Sequence, residues 1–310
     1  MNKFAFLFPG QGSQSVGMMA GFGDHPAVRE AFVEASDILK QDMWALVTDG
    51  PAEELNKTVN TQPAMLAAGV AVYRAWQQAG GAAPAVMAGH SLGEYSALTA
   101  AGAISFADAL PLVRFRAQAM QEAVAEGVGA MAAILGLDDE AVKAVCAEAA
   151  QGEVLEAVNF NSPGQVVIAG HKSAVERGVE LAKAKGAKRA VPLPVSVPSH
   201  CALMKPAGAA LAKYLESVAI QAPVIPVLQN ADVASFSAAA DIKAALVRQL
   251  YSPVRWVETV QKMGAEGVAQ AAECGPGKVL AGLNKRIVAD MKCVALTDGA
   301  SISVFITEVK

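Results

Sequence analysis

The chain has 310 residues, 53% of them hydrophobic and 17% charged, with a formal net charge of −4. That is enough apolar chain for one large core, or a large core with a small companion, and it leaves little room for polar tails. The acidic balance argues against a general nucleic-acid binder, and no run of about 18 apolar residues is free of charged or polar breaks, so no membrane-spanning helix is expected.

Residues 3–8 predict a buried strand, with Phe4 to Phe8 all apolar. This run is too short for a signal-peptide core, and no cleavage site follows it. Cys146, Cys201, Cys274 and Cys293 are scattered without a C-x-x-C pattern, which suggests neither a disulfide framework nor a zinc site. A cytoplasmic protein is the expectation. Pro9-Gly-Gln-Gly-Ser-Gln14 reads as a tight loop. After Gly10 and Gly12 the next glycine is Gly17, so the dinucleotide-binding spacing is missing. Either an ordinary turn or a loop that offers an N–H to an anion fits. Residues 25–50 read as helical with an acidic surface. Thr61-Gln-Pro63 then predicts the start of a long helix to about Ala79, with Pro63 in its first turn.

Residues 84–102 predict a strand, a sharp turn and a helix, with Gly89-His90-Ser91-Leu92-Gly93 at the corner. Glycines on both flanks let the backbone close tightly and push the Ser91 hydroxyl out beside a helix start. N–H groups there can stabilise an oxyanion. Ser91-Leu-Gly-Glu94 also fits a capping box, so a merely structural serine is an open alternative. Ser105 starts a further helix carrying Arg114, Arg116 and Met120. Arg116 sits among Leu112, Val113, Phe115 and Ala117. It either snorkels to solvent or pairs with a carboxylate, or it faces a pocket and holds an anionic ligand.

From 129 to 197 the pattern changes period. Strands are expected at Ala130–Leu137, Leu155–Phe160, Gln165–Ala169 and Arg189–Val197. Helices are expected after Asp138 and after a capping box at Ser173-Ala-Val-Glu176. The order β-α-β-β-α-β is ferredoxin-like, so 127–197 reads as a small inserted domain within a catalytic domain made of 1–126 and 198–310. After it come a helix from about Met204 to Ser217, a strand at Val224–Gln229 and helices at Asp241–Leu250 and Trp256–Met263. A strand at Val268–Glu273, a helix at Lys278–Val288 and a strand near Cys293–Leu296 follow. This alternation predicts a mostly parallel, covered sheet. The tail 301–309 alternates like an edge strand, but Asp298 offers a cap, and a short helix is the expectation.

A serine nucleophile needs a base. Of the four histidines, His200 stands best placed, at a strand-to-helix loop back in the main sheet. His25, His90 and His171 read as structural. The acidic candidates Asp108, Asp138 and Asp139 all read as helix starts, so a Ser–His dyad oriented by a backbone carbonyl fits better than a triad.

Phe8-Pro-Gly-Gln-Gly-Ser-Gln14, Gly89-His-Ser-Leu-Gly-Glu94, Pro198-Ser-His200, Tyr251-Ser-Pro-Val-Arg255 and Gly275-Pro-Gly-Lys278 occur in this order. Together they resemble the malonyl-CoA:acyl carrier protein transacylase family of discrete bacterial fatty-acid synthesis, over essentially the whole chain. The resemblance implies an α/β-hydrolase-like core around the small ferredoxin-like domain. It implies Ser91 as nucleophile, His200 as base oriented by the Gln249 carbonyl, and the Gln11 and Leu92 N–H groups as oxyanion hole. Arg116 would hold the substrate carboxylate and Gln62 would line the pocket. The implied substrates are malonyl-CoA and phosphopantetheinylated acyl carrier protein, with no metal or redox cofactor and no nucleic-acid or membrane partner. A monomer is expected. The carrier protein is acidic, which makes Lys188, Arg189, Lys285 and Arg286 docking candidates. A serine hydrolase and a non-catalytic carrier-protein binding module are the competing readings.

Overall fold

Phe4-Ala-Phe-Leu-Phe8 forms strand β1 (Phe4–Phe8), buried along its whole length. In this computed structural model residues 3–195 and 197–310 are described; Met1, Asn2 and Ser196, the last within the expected strand 189–197, lie outside the described residues. Strand alternation sends β1 into two cores. Phe4, Phe6 and Phe8 join one with Trp76 and Phe305, where the Phe6 and Trp76 rings meet edge-on at 5.0 Å. Ala5 and Leu7 join the other with Val86, Ala88 and Trp256.

Helices α1 (Pro26–Leu39) and α2 (Met43–Thr48) divide the helical stretch at 25–50, because Lys40 turns left-handed at a φ of 52° and Asp42 caps anew by accepting from Ala45 N. After α3 (Ala52–Asn56), α4 (Thr58–Gln78) starts a turn earlier than expected. Pro63 therefore lies inside the helix, not in its first turn. Asn60 Nδ2 and Thr61 Oγ1 tie that added turn to the Glu54 and Leu55 carbonyls. β2 (Val86–Gly89) leads through the serine corner into α5 (Gly93–Ala100). α6 (Phe106–Glu122) begins where expected, with Ser105 Oγ accepting from Asp108 N at 3.0 Å.

Next come β3 (Gly129–Leu135), α7 (Asp139–Ala150), β4 (Leu155–Ser162), β5 (Gln165–His171), α8 (Lys172–Ala184) and β6 (Arg189–Pro192). Their strands form an antiparallel sheet in the order β4-β5-β3-β6, over a core of its own that includes Ile134, Val142, Val166 and Ile168. Two expectations fail locally. β6 stops at Pro192 instead of reaching 197, since Pro192 and Pro194 cannot donate to a ladder. The Ser173 capping box does not form. His171 stands at the helix start, and Ser173 Oγ donates to the Glu153 carboxylate at 2.7 Å.

The chain then returns to the main sheet. α9 (Lys205–Leu215), β7 (Val227–Leu228), α10 (Ala239–Gln249), α11 (Trp256–Ala265), β8 (Gln270–Cys274), α12 (Val279–Ile287), β9 (Lys292–Leu296) and α13 (Gly299–Val309) complete it. The order β7-β2-β1-β8-β9 is parallel throughout. β7 is only two residues long where 224–229 was expected, because Pro223 and Pro226 interrupt its donors. The tail is the expected helix, with Asp298 Oδ1 accepting from Ser301 N at 2.6 Å. No described helix is long and apolar enough to cross a membrane.

The corner after β2 has no room for side chains at its glycines. A Cβ on Gly89 would lie 1.9 Å from the Gly93 carbonyl, and one on Gly93 would lie 2.0 Å from Phe8 O. α5 thus packs backbone to backbone against β1 and β2. Gly93→Ala is expected to lower the urea midpoint, with a loss of at least about 1–3 kcal/mol from overpacking. Helix propensity alone predicts a gain of about 1 kcal/mol, so a raised midpoint would contradict the close approach.

Candidate active site

Ser91 occupies the corner at a φ of +51°. A left-handed backbone at a non-glycine residue costs roughly 1–2 kcal/mol, so the surroundings must hold it. They do so from distant segments. Ser91 N donates to Asn230 Oδ1 at 2.7 Å, and Gln249 Nε2 donates to Ser91 O at 2.9 Å. The capping box at Ser91 does not form: α5 starts at Gly93 without a side-chain cap. Glu94 instead accepts from Asn230 N through Oε2 at 2.7 Å. Burial raises the Glu94 carboxyl pKa to about 8, so it is mostly uncharged at neutral pH.

His200 brings its ring to the serine from the loop before α9. Its Nε2 lies 2.8 Å from Ser91 Oγ and its Nδ1 lies 2.7 Å from Gln249 O. A carbonyl only accepts, so Nδ1 carries the proton and Nε2 is free to accept from the serine hydroxyl. Burial first, and the Arg116 charge second, lower the His200 pKa to about 3, which keeps the imidazole neutral.

Arg116 comes from the middle of α6 and is 1% exposed. It donates through Nη1 to Gln62 Oε1 at 2.9 Å, and through Nη2 to Gln249 Oε1 at 3.0 Å and Ser91 Oγ at 3.2 Å. Its buried Nε has no hydrogen-bond partner among the described residues, and the guanidinium stands 5.3 Å from the centre of the Tyr95 ring. Among the described residues no carboxylate forms an ion pair with it. The snorkelling alternative fails, because the side chain is buried.

Ser91, His200 and Arg116 line a cleft of about 360 Å³, together with Gln11, His90, Leu92, Met131 and Asn159. The cleft lies where the C-terminal ends of β1 and β2 meet the small sheet, the usual binding edge of a parallel sheet. Gly10 packs tightly there: a Cβ on it would lie 2.3 Å from His90 O, so the first loop is pressed against the serine corner. The arrangement can activate a hydroxyl through a neutral imidazole, beside a fixed cation.

Ser91, His200, Arg116, Gln11 and Leu92 line the cleft. Gln62 and Gln249 are buried behind it, where they accept from Arg116, so Gln62 does not line the pocket as expected. Lys188, Arg189, Lys285 and Arg286 are exposed and outside the cleft lining, with Arg286 donating to Gln165 Oε1 at 2.9 Å. His90 is a wall residue whose Nε2 pairs with Asn161 Oδ1 at 2.8 Å, and His171 Nδ1 accepts from Val154 N. Sequence reasoning missed Asn230 and the side chain of Gln249. The one available hint for Asn230 was its position just past a strand end. Among the described residues no group of three or more His, Cys, Asp or Glu side chains is arranged around a metal position.

Comparison with known proteins agrees over the same span. The acyl transferase domain family matches residues 5–295. The malonyl CoA-acyl carrier protein transacylase of Salmonella typhimurium (strain LT2) is 59% identical over 309 residues, covering 99% of this chain and 100% of that one. The crystal structure of an acyl-carrier-protein S-malonyltransferase from Burkholderia pseudomallei 1710b superposes with a TM-score of 0.97 at 63% identity, covering 98% of this chain and 99% of the other. A malonyl-transacylase solved in complex with a type II PKS acyl-carrier protein superposes with a TM-score of 0.97 at 57% identity, over 99% of each chain. With both sheets and the whole serine–histidine–arginine cluster inside these matches, the chain belongs to the acyl transferase family, among the malonyl CoA-acyl carrier protein transacylases.

Proposed function

We propose that this enzyme moves a malonyl group from coenzyme A to the phosphopantetheine thiol of an acyl carrier protein, supplying fatty-acid synthesis, through a malonyl-serine ester. Ser91 Oγ attacks the thioester carbonyl while its proton passes to His200 Nε2. The oxyanion sits on the Gln11 and Leu92 N–H groups. The C–S bond then breaks, and the coenzyme A thiolate leaves with the proton from His200. In the second half, His200 takes the proton of the carrier thiol, the sulfur attacks the ester, and Ser91 recovers its hydroxyl. All these groups come from one chain, which fits a monomer, and the steps call for no metal or redox cofactor. A cytoplasmic setting belongs to the same reading. The sheet order β4-β5-β3-β6 supports reading 127–197 as a ferredoxin-like insertion, and the parallel sheet with its serine corner supports an α/β-hydrolase-like core for 1–126 and 198–310.

The observation that carries this reading is Arg116, a buried guanidinium 3.2 Å from the serine hydroxyl, with no carboxylate in an ion pair with it among the described residues. A buried unpaired charge is costly, and a substrate carboxylate supplies the missing partner. A plain hydrolase has no need of such a cation. Intact-mass measurement after mixing with malonyl-CoA is expected to show a malonyl adduct that Ser91→Ala abolishes. Arg116→Ala is expected to reduce malonyl loading relative to acetyl loading by about tenfold or more, as loss of a charged hydrogen bond implies. Unchanged selectivity would sink the arginine clamp, and free malonate as the main product in the presence of carrier thiol would favour hydrolysis.

The depressed His200 pKa sets a sign. The unfolded chain takes up a proton near the ordinary value of 6.5, whereas the folded one does so near 3. Between those values the unfolded state binds more protons, so His200 costs increasing stability as pH falls through that window. The wild type is therefore expected to lose more melting temperature than His200→Gln on acidification from pH 6.5 towards 3. Parallel losses in the two proteins would contradict a neutral buried base.

Carrier-protein docking at the four basic residues gains support from register. Leu135 pairs with both Gln165 and Arg189, and Arg286 reaches Gln165, so Arg189 and Arg286 gather at one end of the small sheet. That end is roughly 14 Å along β3 from the cleft-lining Met131, at about 3.4 Å per residue. Charge reversal at Arg189 and Lys285 is expected to slow transfer to carrier protein but not loading from malonyl-CoA, and the effect should shrink with added salt. Equal rates at low salt would remove this patch from the docking surface.

A further inference from the structure

Ser91 reaches outside its own segment for the bonds that hold its backbone. The β2–β7 ladder ends at the rung of Ala88 and Leu228, although β2 continues to Gly89. Beyond it the β7 chain turns away, with Gln229 N donating to Ala234 O and Val233 at a φ of 53°. The ladder nonetheless continues through a side chain. Asn230 Nδ2 donates to Gly89 O and Asn230 Oδ1 accepts from Ser91 N, both at 2.7 Å. A carboxamide offers one donor and one acceptor much as a peptide group does, so it replaces the missing rung. Glu94 closes the ring by accepting from Asn230 N at 2.7 Å. Asn230 and Glu94 are both 0% exposed, and neither lines the cleft.

The other side of the corner is held as well. Ser91 O accepts from Gln249 Nε2 at 2.9 Å and from Glu94 N at 3.1 Å. The Ser91–Leu92 peptide is planar and trans, so fixing Ser91 O also fixes the line of the Leu92 N–H. Ser91 N is committed to Asn230, which leaves the oxyanion to other donors.

We propose that Asn230 and Glu94 are positioning residues: a side-chain bracket that holds Ser91 at its positive φ and so sets both the approach of Oγ and the direction of the Leu92 N–H. The bracket deepens the acyl-transfer reading and rests on it only for the choice of substrate. Because neither residue touches reacting atoms, its loss acts on the rate of acylation and spares substrate binding.

Asn230→Ala is expected to lower the single-turnover acylation rate by roughly a hundredfold, the scale of a small misplacement of the nucleophile. The KM for malonyl-CoA should stay within about twofold, the pattern of an interaction made in the transition state. Labelling of Ser91 by a fluorophosphonate, read by intact mass, should slow in parallel, since it needs only a positioned nucleophile. Glu94→Ala should act in the same direction. Glu94→Gln keeps an oxygen that accepts from Asn230 N, and should restore most of the lost rate. Melting curves accompany each variant; if Asn230→Ala does not fold, Asn230→Asp, which loses the donor to Gly89 O, carries the same test. Acylation and labelling near parental rates in Asn230→Ala and Glu94→Ala would overturn the bracket, as would Glu94→Gln falling as far as Glu94→Ala. Fluorophosphonate labelling of the parent without any malonyl adduct would strike at the transfer reading and leave the bracket standing.

Discussion

The left-handed backbone of Ser91 is the constraint on which the site depends. A serine at a φ of +51° is unfavourable by itself, and it persists because the chain around it leaves no alternative. Gly89 and Gly93 let α5 press against β1 and β2 at distances that no side chain survives. Asn230 and Gln249 then occupy the Ser91 N–H and C=O from segments more than a hundred residues away. The hydroxyl is what remains directed into the cleft, between His200 and Arg116. The strain at the corner and the exposure of its hydroxyl to the cleft have one structural cause.

The electrostatics follow from burial. Arg116 is taken out of water yet keeps its charge, because guanidinium is too basic to shed it. His200, also buried and beside that charge, is driven neutral, and Glu94 is driven neutral by burial in spite of it. The site therefore holds one fixed positive charge and a proton acceptor that is ready at ordinary pH. Among the described residues no carboxylate forms an ion pair with Arg116, which leaves the cation available to an anionic ligand.

Much of this was legible in the sequence, and the reasons are local. The glycine spacing around Ser91 announced the corner, and Ser105, Asp138 and Asp298 announced helix starts that their side chains do cap. The capping boxes at Ser91 and Ser173 carried the same kind of local signal and did not form. At the first, Glu94 is claimed by Asn230, 136 residues away; at the second, Ser173 turns to Glu153. Local pattern cannot weigh a partner that only the fold supplies. For the same reason the roles of Asn230 and of the Gln249 side chain were invisible, whereas His200 stood out by its place at a strand-to-helix loop and Arg116 by the family resemblance that the ordered motifs carry. The shortened β7 and β6 are a different case: their prolines were in plain view, and apolar content was weighed above the missing N–H donors.

Gln249 resolves a tension within the proposed chemistry. A base held far below its ordinary pKa is ready to accept a proton but poor at keeping one, and His200 must carry the serine's proton in the transition state. Gln249 is the last residue of α10, so its carbonyl is among those left without an intrahelical donor. His200 Nδ1 fills that vacancy at 2.7 Å. The same carbonyl lies at the negative end of the helix dipole, where a developing imidazolium gains up to about 2 kcal/mol in a partly buried setting. That gain opposes the repulsion from Arg116 only while the imidazole is charged. A substrate carboxylate on Arg116 removes part of the repulsion as well. An acyl group that carries its own negative charge thus helps the base that loads it, whereas an uncharged acetyl group leaves the cation unanswered. In the proposed chemistry, selectivity for a carboxylated acyl group then resides in the proton transfer as well as in binding, because Arg116 stands within hydrogen-bonding reach of the Ser91 hydroxyl.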